Sequence, residues 1–290
     1  MVLMPIYESP CKVNLSLKVL CRRTDGFHEV DTLMAPLALY DRLVFTTSSE
    51  TSLFCDVDGV PVDESNLVLK AVRVMERELG RSVNWRIDLD KRIPHGAGLG
   101  GGSGNAAAVL VALNELEGAR LSKERLVEMS GELGSDVGFF IDGGICRCTG
   151  RGECVSPSPE YSSFSGIVLL LKPSFGVSTP DAYKRWVGSS ELPGVDYSSH
   201  LWNGVEFSND LERPVFEKFL FLAEVKTWLA RQKGVSVAMM SGSGSTMFAF
   251  VESPERGHEL ASLAKAELDP TLWSWVGSCG RGCGIHRAVK

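Results

Sequence analysis

The sequence predicts an α+β fold, and three observations carry the prediction. Alternating extended stretches and amphipathic helical ones are interspersed without the regular strand–helix–strand order of a doubly wound sheet. A glycine-rich stretch at residues 91–114, KRIPHGAGLGGGSGNAAAVLVALN, passes at once into an apolar repeat of helical period. With 290 residues, 44% hydrophobic and 23% charged, the chain can bury one large core or two moderate ones and is ordinary for a globular protein.

The elements follow in order. Val13, Leu15, Leu17 and Val19 alternate with Asn14, Ser16 and Lys18, a half-buried strand with Lys12 at its very start. Asp25-Gly26 marks a turn, residues 30–39 extend again, and a third strand pair is expected over 41–57, turning at Asp58-Gly59. Asn66 caps a helix bearing Leu67, Ala71, Val72, Met75 and Leu79, stopped by Gly80. A strand at 83–89 delivers the chain to the glycines. Ser103 is the expected N-cap of the helix carrying Ala106, Val109, Leu110, Leu113 and Leu116. Ser122 caps a further helix running to Gly134.

Asp136 borders the apolar run 137–141, and spacing leaves it open whether it is a helix cap or a functional carboxylate. Strands at 144–147 and 166–172 flank a Ser/Pro segment, 156–165, the expected boundary between domains 1–155 and 156–290. The second half reads as a buried strand, a loop, a short helix and an exposed loop at 189–200. A long helix follows Phe207-Ser208-Asn209-Asp210, with Pro214 in its first turn and Gly234 after it. A strand at 235–240, a glycine–serine loop at 241–246, a second strand, a helix at 254–268 and a strand at 273–278 complete the chain.

A net charge of −6 supplies no broad basic field for nucleic acid or acidic lipid, so anions must be held by local devices. No apolar run reaches the length of a membrane span, and the first residues lack secretory or transit character, so a cytoplasmic location is expected. The eight cysteines form no zinc-ribbon pattern and read as reduced and structural; Cys146 and Cys148 fall on one face of a strand.

A glycine loop feeding a helix presents free N–H groups and the positive end of the helix dipole, an arrangement suited to phosphate. Gly96, Gly98 and Gly101 satisfy the dinucleotide spacing, but Pro94 interrupts the approach, and the nearest downstream acids, Glu115 and Glu117, stand at the helix end. No Gly-Lys-Ser/Thr follows, so the Walker loop fails too. The loop binds phosphate by another scheme.

Residues 94–105 resemble the phosphate-binding motif of the GHMP small-molecule kinases. PCKVNLSL (10–17), RRTDGFHEVDTL (22–33), LGSDVGFF (133–140), FSNDLE (207–212) and SGSGST (241–246) agree in order with the branch that acts on a cytidylated methylerythritol in the non-mevalonate isoprenoid pathway. The resemblance implies a two-domain fold with ATP and substrate sites in the cleft between domains. It implies ATP with Mg2+ as the donor system and a small cytidine diphosphate substrate, in a monomer or weak homodimer. Asp136 would take the proton of the substrate's 2-hydroxyl, with Lys12 as its charge partner. Pro94, Gly96, Gly98, Leu99, Gly100, Gly101, Gly102, Ser103, Gly104 and Asn105 would wrap the ATP phosphates, with Asn66 and Lys91 near the adenine. His28 would read the cytosine edge, Phe27 and Tyr183 would sandwich the ring, and Asn14, Ser241 and Gly242 would attend the diphosphate and sugar.

Four positions depart from the pattern: Phe27 for tyrosine, Cys11 for alanine, Gly104 for serine and Gly138 for proline. The Gly104 change removes a phosphate or magnesium contact, so ATP affinity is where its effect is expected. A homoserine or mevalonate-type kinase is the alternative within the superfamily, opposed by Phe27, His28 and Tyr183. A catalytically silent nucleotide-binding protein is the other, opposed by intact Lys12 and Asp136.

Overall fold

A computed structural model describes residues 4–288. Two long strands carry the molecule. β1 (Ile6–Arg22) and β2 (His28–Thr47) pair antiparallel from Ile6↔Val44 to Arg22↔His28. They turn at the predicted Asp25-Gly26, where Gly26 takes φ +88°. The strand pair expected over 41–57 does not form. Leu43 and Phe45 keep alternating into the core, so β2 runs on unbroken, and only the short β3 (Ser52–Phe54) follows it. β1 is not half-buried in its middle, either. Cys11, Val13 and Leu15 are buried on one face and Lys12 and Asn14 on the other, so Lys12 lies well inside the strand.

α1 (Leu67–Leu79) is capped by Asn66, whose side chain accepts from the Val68 N–H, and Gly80 at φ +65° stops it. β4 (Trp85–Asp90) leads to the glycine loop. α2 (Gly101–Leu116) starts earlier than predicted, because Gly100 at φ +68° turns the chain into the helix. Ser103 therefore sits in the first turn and is not the N-cap. Ser122 caps α3 (Lys123–Ser130), which ends before Gly134, at the weak helix former Gly131. α4 (Val137–Asp142), β5 (Cys146–Gly150) and β6 (Cys154–Pro157) follow.

β7 (Ser165–Lys172), α5 (Thr179–Arg185), β8 (His200–Trp202) and β9 (Val205–Asn209) open the second half. The long helix expected next is two, α6 (Glu212–Lys218) and α7 (Leu220–Ala230). Phe219 leaves helical angles between them, and its ring stacks on Phe175 at 5.2 Å. β10 (Val235–Met240), β11 (Met247–Val251), α8 (Pro254–Glu267), β12 (Trp273–Gly280) and β13 (His286–Ala288) complete the order.

The strands join in the order β10-β11-β7-β12-β2-β1-β9-β8. One edge of β2 serves three strands in turn: β5 over residues 30–34, β12 at the single pair Cys279↔Leu37, and β4 over 42–47. That single pair is a narrow seam between the β5/β4 wing and the β10–β12 wing. One core cluster lies around α1, α2 and β4, a second around α6 to α8, and a third, with Val13, Leu37, Phe248 and Phe250, spans the seam. Cys146 and Cys148 are buried on one face of β5, and all eight cysteines are unpaired. Among the described residues no helix is long and apolar enough to cross a membrane.

Candidate active site

Lys12 and Asp136 come together from distant segments. The Lys12 side chain is only 5% exposed, and its ammonium lies 3.6 Å from the Asp136 carboxylate. It donates a shorter hydrogen bond, 2.7 Å, to Asn14 Oδ1; the Asn14 amide donates to Thr32 Oγ1, and Thr32 to the Ser16 carbonyl. A buried ammonium needs such partners. Asp136 occupies the position before α4, yet its carboxylate makes no capping hydrogen bond. Of the two roles left open by spacing, side-chain capping is thus removed, and the carboxylate, 34% exposed, faces the cleft.

The cleft has a volume of about 1250 Å³ and is lined by Lys12, Asp136 and the glycine loop together. The loop lies against the second glycine–serine turn, 241–246. Ser241 Oγ donates to the Gly98 carbonyl at 3.0 Å, and the Thr246 N–H donates to that of Ala97 at 3.2 Å. A Cβ at Gly98 would lie 2.3 Å from the Ser241 carbonyl oxygen, so only glycine permits this approach, and Gly98 also takes φ +76°. The Lys12 N–H donates to the Leu99 carbonyl at 2.9 Å, tying the loop to β1. The 241–246 turn is itself held by Asn209, whose amide donates to the Met240 and Gly242 carbonyls, both at 2.8 Å.

A glycine loop at the start of a helix thus lies beside an ammonium–carboxylate pair in one cleft. Residues 66–144 match the GHMP kinases N terminal domain, and residues 200–268 the GHMP kinases C terminal. The 4-diphosphocytidyl-2-C-methyl-D-erythritol kinase of Methylacidiphilum infernorum is 41% identical, the match covering 91% of this chain and 93% of that one. The chain belongs to the 4-diphosphocytidyl-2-C-methyl-D-erythritol kinase family. A crystal structure of 4-(cytidine 5'-diphospho)-2C-methyl-D-erythritol kinase superposes with a TM-score of 0.77 at 34% identity, covering 96% of this chain and all of that one. The homoserine kinase of Cytophaga hutchinsonii has a TM-score of 0.71 at 18% identity over 98% and 97% of the two chains; this likeness is one of fold alone.

Placed on this family member, most of the expected ATP set lines the cleft: Pro94, Gly96, Gly98, Leu99, Gly100, Gly101, Gly102, Ser103, Asn105, Asn66 and Lys91. Gly104 does not. It is buried, and a Cβ there would lie 2.7 Å from Ser9 Oγ and 2.8 Å from the Pro10 carbonyl oxygen. A serine at that position would point into β1, so the contact with ATP expected to be lost is not one this geometry offers. Asn66 uses its side chain locally, accepting from Val68 and donating to the Pro61 carbonyl at 2.6 Å.

At the other end Asn14, Phe27, His28, Tyr183 and Gly242 line the cleft, while Ser241 is buried behind it. Tyr183 stacks on His28, with centroids 5.3 Å apart, whereas Phe27 is 54% exposed beneath the Arg151 guanidinium at 5.0 Å. The two aromatics expected to sandwich a ring thus have separate partners. Burial, with Arg22 adding, pushes the His28 imidazole below its ordinary value; burial, with Asp136 adding, pushes the Tyr183 hydroxyl up.

Sequence reasoning missed three residues. Arg151 lines the cleft from the β5–β6 turn, and Asn209 sits in a motif whose amide role was unread. Asp41, fully buried behind the loop, was taken as the start of a strand. Its signal was available: an acid in the apolar run LALYDRLVF, the pattern that singled out Asp136.

Proposed function

We propose that this chain transfers the γ-phosphoryl group of ATP to the 2-hydroxyl of 4-diphosphocytidyl-2-C-methyl-D-erythritol, with Asp136 as base and Lys12 as charge partner. The observation that carries the proposal is the Lys12–Asp136 pair at 3.6 Å, lining one cleft with the glycine loop. Phosphoryl transfer asks mainly for alignment and for compensation of charge on the equatorial oxygens. Asp136 accepts the hydroxyl proton as the oxygen bonds to the γ-phosphorus. The bond to the β–γ bridging oxygen breaks, and ADP leaves with that electron pair. Lys12, held by Asn14, faces the carboxylate and offsets charge on the group in transit. Main-chain N–H groups of the loop and of the first turn of α2 receive the phosphates.

His28, Tyr183 and Phe27 take the cytosine end. Mg2+ would ride on the nucleotide phosphates with few protein ligands. Ser103 and Asp136, both in the cleft lining beside the loop, would hold it, and it would neutralise phosphate charge. A cytoplasmic setting and a division near residues 155 and 156 belong to the same proposal.

The test is ADP release with the cytidylated alcohol, mevalonate and homoserine run in parallel. Turnover is expected with the first alone; turnover with either of the others instead would overturn the substrate. Asp136→Asn is expected to bind both ligands and lose about a thousandfold in kcat. Near wild-type kcat would remove Asp136 from its role.

A further inference from the structure

Asp41 lies in β2, opposite Ser9 of β1, with no solvent exposure. A carboxylate so placed must be fully partnered, and it is. Oδ1 accepts from the main-chain N–H groups of Arg92 at 2.7 Å and Ile93 at 2.8 Å. Oδ2 accepts from the Asn105 amide at 2.9 Å and from the Lys91 ammonium. These donors come from both ends of the phosphate loop: residues 91–93 lead into it, and Asn105 lies in α2 just past it. One carboxylate therefore closes the 94–104 segment like a clasp.

The charges point the same way. A Cβ at Gly101 would lie 2.8 Å from Lys91 Nζ, so the ammonium rests against the first residue of α2. A cation is disfavoured at that end of a helix, and Asp41 offsets it. Asp41 is outside the cleft lining, whereas Lys91 and Asn105 are within it; the anion is screened from phosphate by its own partners.

We propose that Asp41 is a positioning residue for the nucleotide: it fixes both ends of the loop and neutralises Lys91, so that the loop amides are pre-set for phosphate. Lys91 and Asn105, expected to meet ATP directly, act first through Asp41. The inference rests on the reading of the loop as the ATP site.

Two variants of the full chain test it. Asp41→Asn keeps an acceptor for Arg92 and Ile93 but turns amide hydrogens toward Lys91 and Asn105. Asn105→Ala keeps the charge pair and releases the helix end. ADP affinity is measured by titration calorimetry, and KM for ATP and for the cytidylated alcohol are measured separately. Asp41→Asn is expected to weaken ADP and raise the ATP KM by about tenfold or more, and Asn105→Ala by about threefold to tenfold. The alcohol KM should stay within about twofold in both.

ADP affinity near wild type in the folded variants, or equal losses for both ligands, overturns the proposal. If Asp41→Asn fails to fold, Asn105→Ala decides by the same criterion. Should the wild type ignore the cytidylated alcohol, the substrate reading falls while the ADP titrations still judge the clasp.

Discussion

Lys12 has two partners in the cleft, and the difference between them matters. Its hydrogen bond to Asn14 sets where the ammonium sits, and the contact with Asp136 is longer, as the proposed proton acceptor would need. Lys12 and Asp136 stood out because each sat in a motif of recognisable order; the acid at Asp41 was visible in its apolar run, but its four partners were not, since they lie some 50 to 64 positions away. His28 carries the pH prediction. Burial and Arg22 hold its imidazole below the ordinary 6.5, so the ring is neutral at pH 7. A depressed base keeps its neutral-state interactions above its ordinary value and loses them as pH falls through the lowered one. The KM for the cytidylated alcohol should therefore be flat from neutral pH down to 6.5 and rise below it. His28→Asn should abolish that rise, and a rise unchanged in the variant would remove His28 from cytosine reading.

Between single side chains and the fold stand the elements that aim the second glycine–serine turn. Asn209 at the end of β9 holds the Met240 and Gly242 carbonyls. Glu212, the first residue of α6, accepts from the Met240 N–H at 2.8 Å and from Lys226 of α7 at 2.5 Å. Burial pushes the Glu212 carboxyl up, and Lys226 opposes that shift. Lys226→Met would strand a buried carboxylate, and the expected loss is about 3–5 kcal/mol in urea unfolding. A loss below about 1 kcal/mol would show that the pair does not support this turn. The FSNDLE motif was readable as a unit, but the break between α6 and α7 was not. No proline or glycine marks it; Phe219 breaks the helix because its ring finds Phe175.

Residues of the cleft come from both halves of the chain, from Lys12 to Gly152 and from Thr179 to Ser243. The halves meet in the sheet where β12 pairs β2 at Cys279↔Leu37 and where β9 and β13 pair β1, and beneath the cleft through Ser241 and Gly98. On the proposed reading a nucleotide in the cleft would bind the folded state alone. A non-hydrolysable ATP analogue at a hundred times its Kd should add about 2.7 kcal/mol to the unfolding free energy. No stabilisation at that concentration would deny the cleft to ATP.

What the sequence by itself determined is local: the glycine loop running into α2, the caps Asn66 and Ser122, the turn at Gly26, and motifs that name a chemistry. These follow from main-chain freedom, hydrogen bonding within a few residues and hydrophobic period, all of which a linear text carries. Only the tertiary structure decided that Ser103 sits inside the helix, that Gly104 faces β1 rather than the cleft, and that Asp41 bonds to both ends of the loop. Each depends on which distant atoms pack against a residue, and close packing and paired buried charge are properties of neighbours in space, not along the chain.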